Sequence, residues 1–390
     1  MELIPPTNFD DVLVDAFKAM GIKEVYGKLA VDFIGGGRFA SGLPNVGRVN
    51  FLKHIKKLND AGIGFNYILN APCLSSREFT RTGRRRIKKL LNWLDLNGVK
   101  KVTVAIPYLL QVIKDNYPDF KVCVSTYAQV DSYQKAKYWQ DIGADEITLL
   151  DTSVNRNFKL LKAIRSKISA KLRLIANTGC LHHCHLLQSH ALSASHGSQE
   201  SYFHKPGFAV DYCVICCRYL RLLDPVNFIR SQWIRPEDIG IYEAEGIDGI
   251  KLIDRRCSAA TIIAITKSYY ERKHHGNLLD LLPAFHGKSP KNLTSILLKI
   301  KYCLHPYENN IFNILKLYKT IEGIDIYIDN IKLGGFLSGL KSRDCDYLDC
   351  SECGYCNKVA QEAVRYDKDY IDRMLKAYKG LINDIVKGEL

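Results

Sequence analysis

The chain has 390 residues, of which 47% are hydrophobic and 25% are charged, and its formal net charge is +14. This composition is ordinary for a soluble globular protein, and the length suits one large domain plus a smaller one. No apolar run approaches the roughly 20 residues that cross a bilayer, and the first residues lack the features of a signal peptide. We therefore predict a cytoplasmic protein without membrane insertion.

Short apolar or β-branched runs alternate with amphipathic helical segments over the first 270 residues. Several helical segments end in Gly, which suits the left-handed position after a helix. This alternation predicts an α/β fold with a parallel sheet, and eight units predict a closed (β/α)8 TIM-like barrel over residues 1–280. A doubly wound open sheet is the alternative. The predicted strands are residues 2–5, 24–26, 64–70, 101–106, 121–125, 146–150, 171–177 and 249–253.

Two motifs in the first third of the chain bear on binding. Residues 35–42 read GGGRFASG, but no helix follows at once, so a dinucleotide site is disfavoured. We instead predict a tight loop at the barrel mouth that presents Arg38. Residues 81–89 read RTGRRRIKK, with six basic side chains and no acid, at the start of a predicted amphipathic helix. This patch is either a solvated outer face or a track for RNA phosphates, and the net charge also favours a polyanionic partner.

The segment between the seventh and eighth strands, about residues 178–248, is too long for an ordinary connection. It would lie at the C-terminal face of the barrel, where barrel enzymes place their active sites. It holds two cysteine pairs of equal C-x3-C spacing, with Cys216 as an extra thiol; the pairs are Cys180 with Cys184, and Cys213 with Cys217.

Four clustered thiolates form the usual shell of a [4Fe–4S] cluster or of a structural zinc ion. A reducing cytoplasm disfavours disulfides, so clustered cysteines more often bind metal. Zinc prefers C-x2-C knuckles, and both pairs here are longer, so the spacing favours iron–sulfur. Zinc and unmetallated thiols remain the alternatives.

A second cysteine group lies in the small segment predicted for residues 281–390. Its spacing is C-x4-C-x2-C-x2-C, which predicts either a second iron–sulfur cluster or a zinc site, catalytic or purely structural. Its members are Cys345, Cys350, Cys353 and Cys356. Cys257, just after the eighth strand, is either a further ligand or a buried thiol. We interpret the three isolated cysteines as packing residues; they are Cys73, Cys123 and Cys303.

The order of NTGCLHHCHLLQSH, DYCVICCR, WIRPEDI and GIDGIKLIDRR resembles the collagenase-like peptidase U32 family over roughly residues 1–280. This resemblance implies a [4Fe–4S] cluster and O2-independent hydroxylation of RNA bases or of the ubiquinone ring, with prephenate as the oxygen source. The implied ligands are Cys180, Cys213 and Cys217, with Cys184 as the fourth. The family's usual acidic residue and glycine are replaced here by Ile253 and Asp254, and the hydroxylases lack the C-terminal cysteine group.

The resemblance and the motifs together support an iron–sulfur hydroxylase or modification enzyme acting on RNA or a small molecule. His190 lies where relatives often have a histidine, and histidine serves as an acid or base near neutral pH. Arg255, which matches the family's Lys-x-x-x-Arg, and Arg38 are candidate clamps for a small-molecule carboxylate. Arg256, like Arg255, lies near Ser258, where a helix is predicted to begin. The N-terminus of a helix attracts anions.

Two other classes of function stay open. A collagenase-like peptidase is one, although the chain has no HExxH and no GxSxG motif. A non-catalytic iron–sulfur or zinc protein is the other, serving as a scaffold or an electron carrier beside a paralogous partner chain.

Overall fold

A computed structural model describes residues 1–202, 211–285, 317, 320 and 323–389. It contains one sheet of eight parallel strands surrounded by helices, which confirms the predicted TIM-like barrel. Every strand begins at the residue that the sequence predicted, and most end one or two residues earlier. The strands are β1 Glu2–Ile4, β2 Glu24–Gly27, β3 Gly64–Leu69, β4 Lys101–Val104, β5 Lys121–Val124, β6 Glu146–Thr148, β7 Lys171–Ile175 and β8 Gly249–Lys251.

The barrel closes between β1 and β2 through the residues that follow β1. The other strands pair with their neighbours in sequence, and β1 pairs with β8. Thr7 N donates to Tyr26 O at 3.0 Å, and Tyr26 N donates to Pro5 O at 3.2 Å. These two bonds join the first and second strands, so the doubly wound alternative is wrong.

Helices cover the outside of the barrel and bury one apolar stripe each. In α3, Ile87, Leu90, Leu91 and Leu94 are buried, as their helical spacing predicted. Burying each such side chain contributes about 1.5–3 kcal/mol. The helices are α1 Val12–Ala19, α2 Arg48–Asp60, α3 Arg81–Leu96, α4 Pro107–Asn116, α5 Tyr133–Asp141, α6 Phe158–Arg165, α7 Leu187–His196, α8 Tyr212–Leu223, α9 Asn227–Arg230, α10 Ile239–Ala244 and α11 Ala259–Tyr270.

A charged network fills the N-terminal end of the barrel. Arg173 on β7 donates from Nη1 and Nη2 to the two oxygens of Glu24, both at 2.8 Å, and lies 2.7 Å from Glu146 Oε2. Lys101 Nζ lies 2.6 Å from Glu24 and 2.5 Å from Glu146. The network ties β2, β4, β6 and β7 together, and its polar groups lie at the end of the barrel opposite the predicted site.

The described part of the C-terminal segment packs on the barrel and on the cysteine-rich insertion. Strands β9 Ile326–Ile328 and β10 Val364–Tyr366 pair antiparallel. The terminal helix lies along α8, and its Tyr378 and Leu381 are buried. None of the described helices is both long and apolar enough to span a membrane. The helices of this segment are α12 Phe336–Lys341, α13 Cys350–Cys353, α14 Tyr355–Ala363 and α15 Lys368–Lys387.

Candidate functional site

The loop after β7 and helix α8 bring the four cysteines of the two C-x3-C pairs into one group. Cys180 and Cys184 lie in the loop before α7, while Cys213 and Cys217 lie one turn apart on α8 and so share a face. Burial raises the pKa of the Cys180 thiol, and Asp151, Cys184 and Cys217 raise it further. Burial likewise raises the pKa of Cys213 to about 11, with Cys184 among its charged neighbours. Thiols from two separate segments therefore lie close enough to act on one another.

A buried arginine faces this thiol group. Arg221, four residues after Cys217 on α8, is 1% exposed and lowers the pKa of Cys180 and Cys184. It donates to Gly179 O and, at 2.9 Å, to Ser231 Oγ. Its Nε has no partner, and no carboxylate oxygen of the described chain lies within 4.0 Å of it. A buried cation is costly without an anion, so this arginine fits a site whose thiols are bound as thiolates.

The spacing of the sulfurs bears on the size of the group they could hold. Among the described residues, one group of three metal-ligating side chains has all its donor atoms within 4.8 Å of one another. That group is His182, His183 and Asp346. Sulfurs around a single zinc ion lie roughly 3.8 Å apart, given Zn–S bonds of about 2.3 Å. No three of the four thiol sulfurs lie within 4.8 Å of one another, and which metal they bind stays a prediction.

The extra cysteine of α8 has a hydrogen-bond partner of its own. The Cys216 thiol hydrogen-bonds the hydroxyl of Tyr212, which is 42% exposed, and this bond raises the pKa of Tyr212. We therefore keep Cys213 and Cys217 as the predicted ligands on this helix.

Buried cations line the mouth of the barrel beside the thiol group. Lys28 Nζ lies 3.0 Å from Asp32 Oδ2, which also accepts from Tyr67 Oη at 2.9 Å. Burial lowers the pKa of Lys28, although Asp32 opposes this. Arg255 is 5% exposed, and its Nη1 has no hydrogen-bond partner among the described residues. This free donor makes Arg255 the strongest candidate here for binding an anionic group.

The two other arginines of the mouth share one carboxylate. Asp254 Oδ2 lies 3.0 Å from Arg38 Nε and 2.8 Å from Arg256 Nη2. Burial alone would raise the pKa of Asp254, but the two arginines hold it well below its usual range. Arg38 and Arg256 are therefore already paired, whereas Arg255 has no carboxylate partner within the described part of the chain.

Tyr127 connects the mouth to the thiol group. Its hydroxyl donates to Gly37 O at 3.1 Å. Burial raises its pKa to about 12, and its charged neighbours include both Arg38 and Cys180. The cations of the mouth and the first cysteine pair thus border the same region.

The glycine stretch forms the predicted tight loop at this mouth. Gly35 has φ +83°, and a Cβ there would lie 2.6 Å from Gln199 Cγ, so only glycine fits. Its N–H donates to Asp32 Oδ1 at 2.6 Å, and Gly37 N donates to Asn70 Oδ1 at 2.9 Å. These bonds fix the loop that carries Arg38.

His190 lies between α8 and the residue that follows Arg38. Its Nδ1 is 2.8 Å from Asp211 Oδ2, and Asp211 Oδ1 accepts from Val214 N at 3.0 Å to cap α8. Its ring centroid lies 6.1 Å from that of Phe39. This position suits a residue that orients the cysteine helix, and its predicted catalytic role stays a prediction.

The C-terminal cysteines form a second group. Cys350 and Cys353 are the first and last residues of α13, and Cys356 lies in α14. Burial raises the pKa of Cys356 to about 11, with Cys345 and Cys350 as further contributors. Arg156 lies beside Cys345 and Cys356 and lowers their pKa values. The structure therefore brings these four thiols together, while the metal they bind stays a prediction.

The remaining cysteines lie elsewhere. The Cys257 thiol borders Asp254 and Arg256 at the mouth, and burial raises its pKa to about 11. Cys123 is buried inside the barrel, and the sulfur of Cys73 accepts from Ser75 N at 3.2 Å. Cys303 lies outside the described residues.

Sequence reasoning missed Lys28, Tyr127 and Arg221. A signal for Arg221 was present, because Cys213, Cys217 and Arg221 recur every four residues and so share a helix face. Lys28 and Tyr127 carried no such pattern.

Part of the chain is similar to a known protein family. Residues 78–183 match the sequence profile described as peptidase family U32. The uncharacterized protease MJ1657 of Methanocaldococcus jannaschii is 29% identical over 334 residues, which cover 86% of each chain. The solved structure of the U32 peptidase Mk0906 has 21% identity and a TM-score of 0.49, and the match covers 65% of this chain and 92% of that one.

Proposed function

We propose that this chain, which is similar to peptidase family U32 as its sequence predicted, is an iron–sulfur enzyme that hydroxylates its substrate without O2. The observation that carries the proposal is the four-thiol group beside Arg221. The residues that would hold a [4Fe–4S] cluster are Cys180, Cys184, Cys213 and Cys217. When bound, such a cluster supplies iron that exchanges electrons.

The barrel mouth supplies the binding chemistry. Arg255 offers a buried, unpartnered N–H to a carboxylate, and such charge-assisted bonds are the strong ones. Lys28 Nζ, held by Asp32, can hold or release a proton inside the same enclosed region. Tyr127 and the glycine loop exclude water from one side. These residues would position a small carboxylate co-substrate beside the thiol group.

The positive charge of the surface favours RNA as the substrate class that we propose. All six basic side chains of the patch at residues 81–89 are exposed. Arg86 lies 4.8 Å from the ring of Phe33, two residues before Gly35 of the mouth loop. The basic face of α3 therefore begins next to the mouth, where a phosphate backbone could follow it inward. A small molecule is the rival substrate.

Peptidase activity is the second candidate, because the family and the named relatives carry that description. A non-catalytic scaffold or electron carrier is the third, favoured by the second cysteine group. The metal and sulfide content of the protein and the activity of its cysteine variants separate these candidates.

Anaerobically purified protein should contain about four iron and four sulfide per chain, or about eight of each if the C-terminal group also holds a cluster. Cys353→Ala should remove metal from the C-terminal site alone. One zinc and no sulfide at the barrel site would contradict the proposal. Hydrolysis of gelatin at a rate that Cys180→Ala leaves unchanged would favour the peptidase instead.

Arg255→Met should weaken binding of prephenate roughly ten- to hundredfold, since hydrogen bonds to charged groups contribute about 1.5–3 kcal/mol. The matched control is Arg256→Met, whose side chain is 44% exposed and bound to Asp254. Calorimetric titration of the cluster-loaded protein measures both. Equal losses in the two variants would place the carboxylate elsewhere.

A further inference from the structure

A pocket of about 20 Å³ separates the loop after β7 from the C-terminal segment. We call it the junction pocket. It adjoins both cysteine groups, because His182 lies between Cys180 and Cys184, and Cys345 is itself a lining residue. Its other lining residues that matter here are Arg156, Lys159, Gln232, Lys341, Arg343, Asp344 and Asp346.

The hydrogen bonds of Gln232 fix which nitrogen of His182 carries the proton. Arg156 N donates to Gln232 Oε1 at 2.9 Å, so the amide NH2 of Gln232 points the other way. That NH2 lies 2.8 Å from His182 Nδ1, which must therefore accept. The ring proton is then on Nε2. His182 Nε2 is buried and makes no hydrogen bond of good geometry to any described residue, although the backbone of Thr152 lies near the ring, so its N–H is open to a further acceptor.

Arg156 presents a second unused donor. Its Nη1 donates to Ile229 O at 2.8 Å and its Nη2 to Trp233 O at 3.0 Å. The guanidinium also lies 4.2 Å from the centroid of the Trp233 ring. Its Nε is buried without a hydrogen-bond partner among the residues that the structure describes, and Arg156 is 8% exposed. A buried donor left unbonded costs about 1–3 kcal/mol, so two of them call for an acceptor from outside the chain.

The charge of the lining favours an anion as that acceptor. Four cationic side chains line the pocket, against two carboxylates. Both carboxylates are engaged, since Asp344 lies 2.9 Å from Lys159 and Asp346 lies 3.0 Å from His183. Lys341 lies 2.9 Å from Glu245, so Arg156 and Arg343 are the two lining cations without a carboxylate partner among the described residues. The four cations are Arg156, Lys159, Lys341 and Arg343.

The same residues argue against a metal ion here. The donor atoms of His182, His183 and Asp346 lie within 4.8 Å of one another, a spacing that a cation could bridge. However, a ring nitrogen that carries a proton cannot ligate, and Gln232 holds the proton of His182 on the free nitrogen. Neighbouring cations would also repel a metal.

We propose that the junction pocket binds a phosphate group through His182 Nε2–H and Arg156 Nε–H, with the lysines and Arg343 at its rim. This inference stands apart from the proposed reaction, because it uses neither the barrel thiols nor the mouth cations. The bound group would connect the loop that holds Cys180 and Cys184 to the segment that holds Cys345. The phosphate could be free or part of a nucleotide chain.

Calorimetric titration of the full, metal-loaded chain with inorganic phosphate tests the site. His182→Phe should weaken binding at least tenfold, and the double variant Lys159→Met/Lys341→Met should do so without touching the buried donors. His185→Gln is the matched control, because His185 is an exposed histidine of the same loop that does not line this pocket. It should bind phosphate like the parent.

Titration with a short oligoribonucleotide identifies the source of the phosphate. Tighter binding than inorganic phosphate, lost in the same variants, would assign the pocket to RNA; equal or weaker binding would assign it to free phosphate. Phosphate that fails to bind, or that binds all variants equally, would overturn the proposal. Binding of Zn²⁺ that depends on His182 would overturn it too.

Discussion

Cys217→Ala is expected to abolish the barrel cluster, whereas Cys216→Ala, one residue earlier on the same helix, is expected to retain it. Loss of one thiolate ligand should reduce iron and sulfide by about four atoms each per chain and bleach the visible absorbance. The reason is geometric: Cys217 faces Cys180 and Cys184, while the Cys216 thiol hydrogen-bonds Tyr212.

The paired design keeps this result interpretable. Both variants remove one thiol from α8, so a general loss of helix stability would affect them alike. Circular dichroism of the metal-free proteins serves as the folding control. Bleaching by Cys216→Ala with colour retained in Cys217→Ala would exchange the roles of the two residues. Retention of iron in both would mean that α8 supplies only Cys213.

Arg173→Met is expected to destabilise the barrel by about 3–5 kcal/mol, because it leaves two buried carboxylates with Lys101 as their remaining cation. Lys171→Met, two residues earlier on β7, is the control. Lys171 and its partner Glu2 are both nearly half exposed, so their ion pair contributes about 1 kcal/mol or less. Urea unfolding of both variants provides the comparison, and equal losses would contradict the role assigned to the network.

The same network determines the acidic pH range in which the barrel loses stability. Burial opposes ionisation of Glu24, but the bonds from Arg173 and Lys101 hold its pKa at about 2, against 4.5 ordinarily. Because the folded pKa is depressed, this stabilisation is complete above about pH 4.5 and is lost as the pH falls toward 2. It amounts to about 3 kcal/mol. The free energies of unfolding of Arg173→Met and of the parent should therefore differ least near pH 2.

The barrel was predictable because its information is local. Each strand is an apolar run that starts after a turn, and each helix repeats its buried positions every three or four residues. Those patterns gave every strand start. The glycine loop was predictable for a related reason, since three successive glycines without a following helix point to a tight turn.

The candidate site was less predictable because its contacts join distant segments. His183 and Asp346 are 163 residues apart, and Arg156 and Cys345 are 189 apart. No local period links such pairs. The free donors of Arg255, Arg156 and His182 are likewise properties of the assembled fold, since each depends on which partners surround it. Cysteine spacing predicted which thiols lie together, but not the arginines beside them.

The position of α15 on α8 has a consequence for biosynthesis. Cys217 precedes Lys368, the first residue of α15, by 151 residues. At roughly 5–20 residues per second, the ribosome finishes Cys217 roughly 8 to 30 s before it reaches Lys368. During that interval the face of α8 that α15 later covers is open to solvent and to any assembly factor. The nascent chain therefore exposes α8 before α15 can cover it.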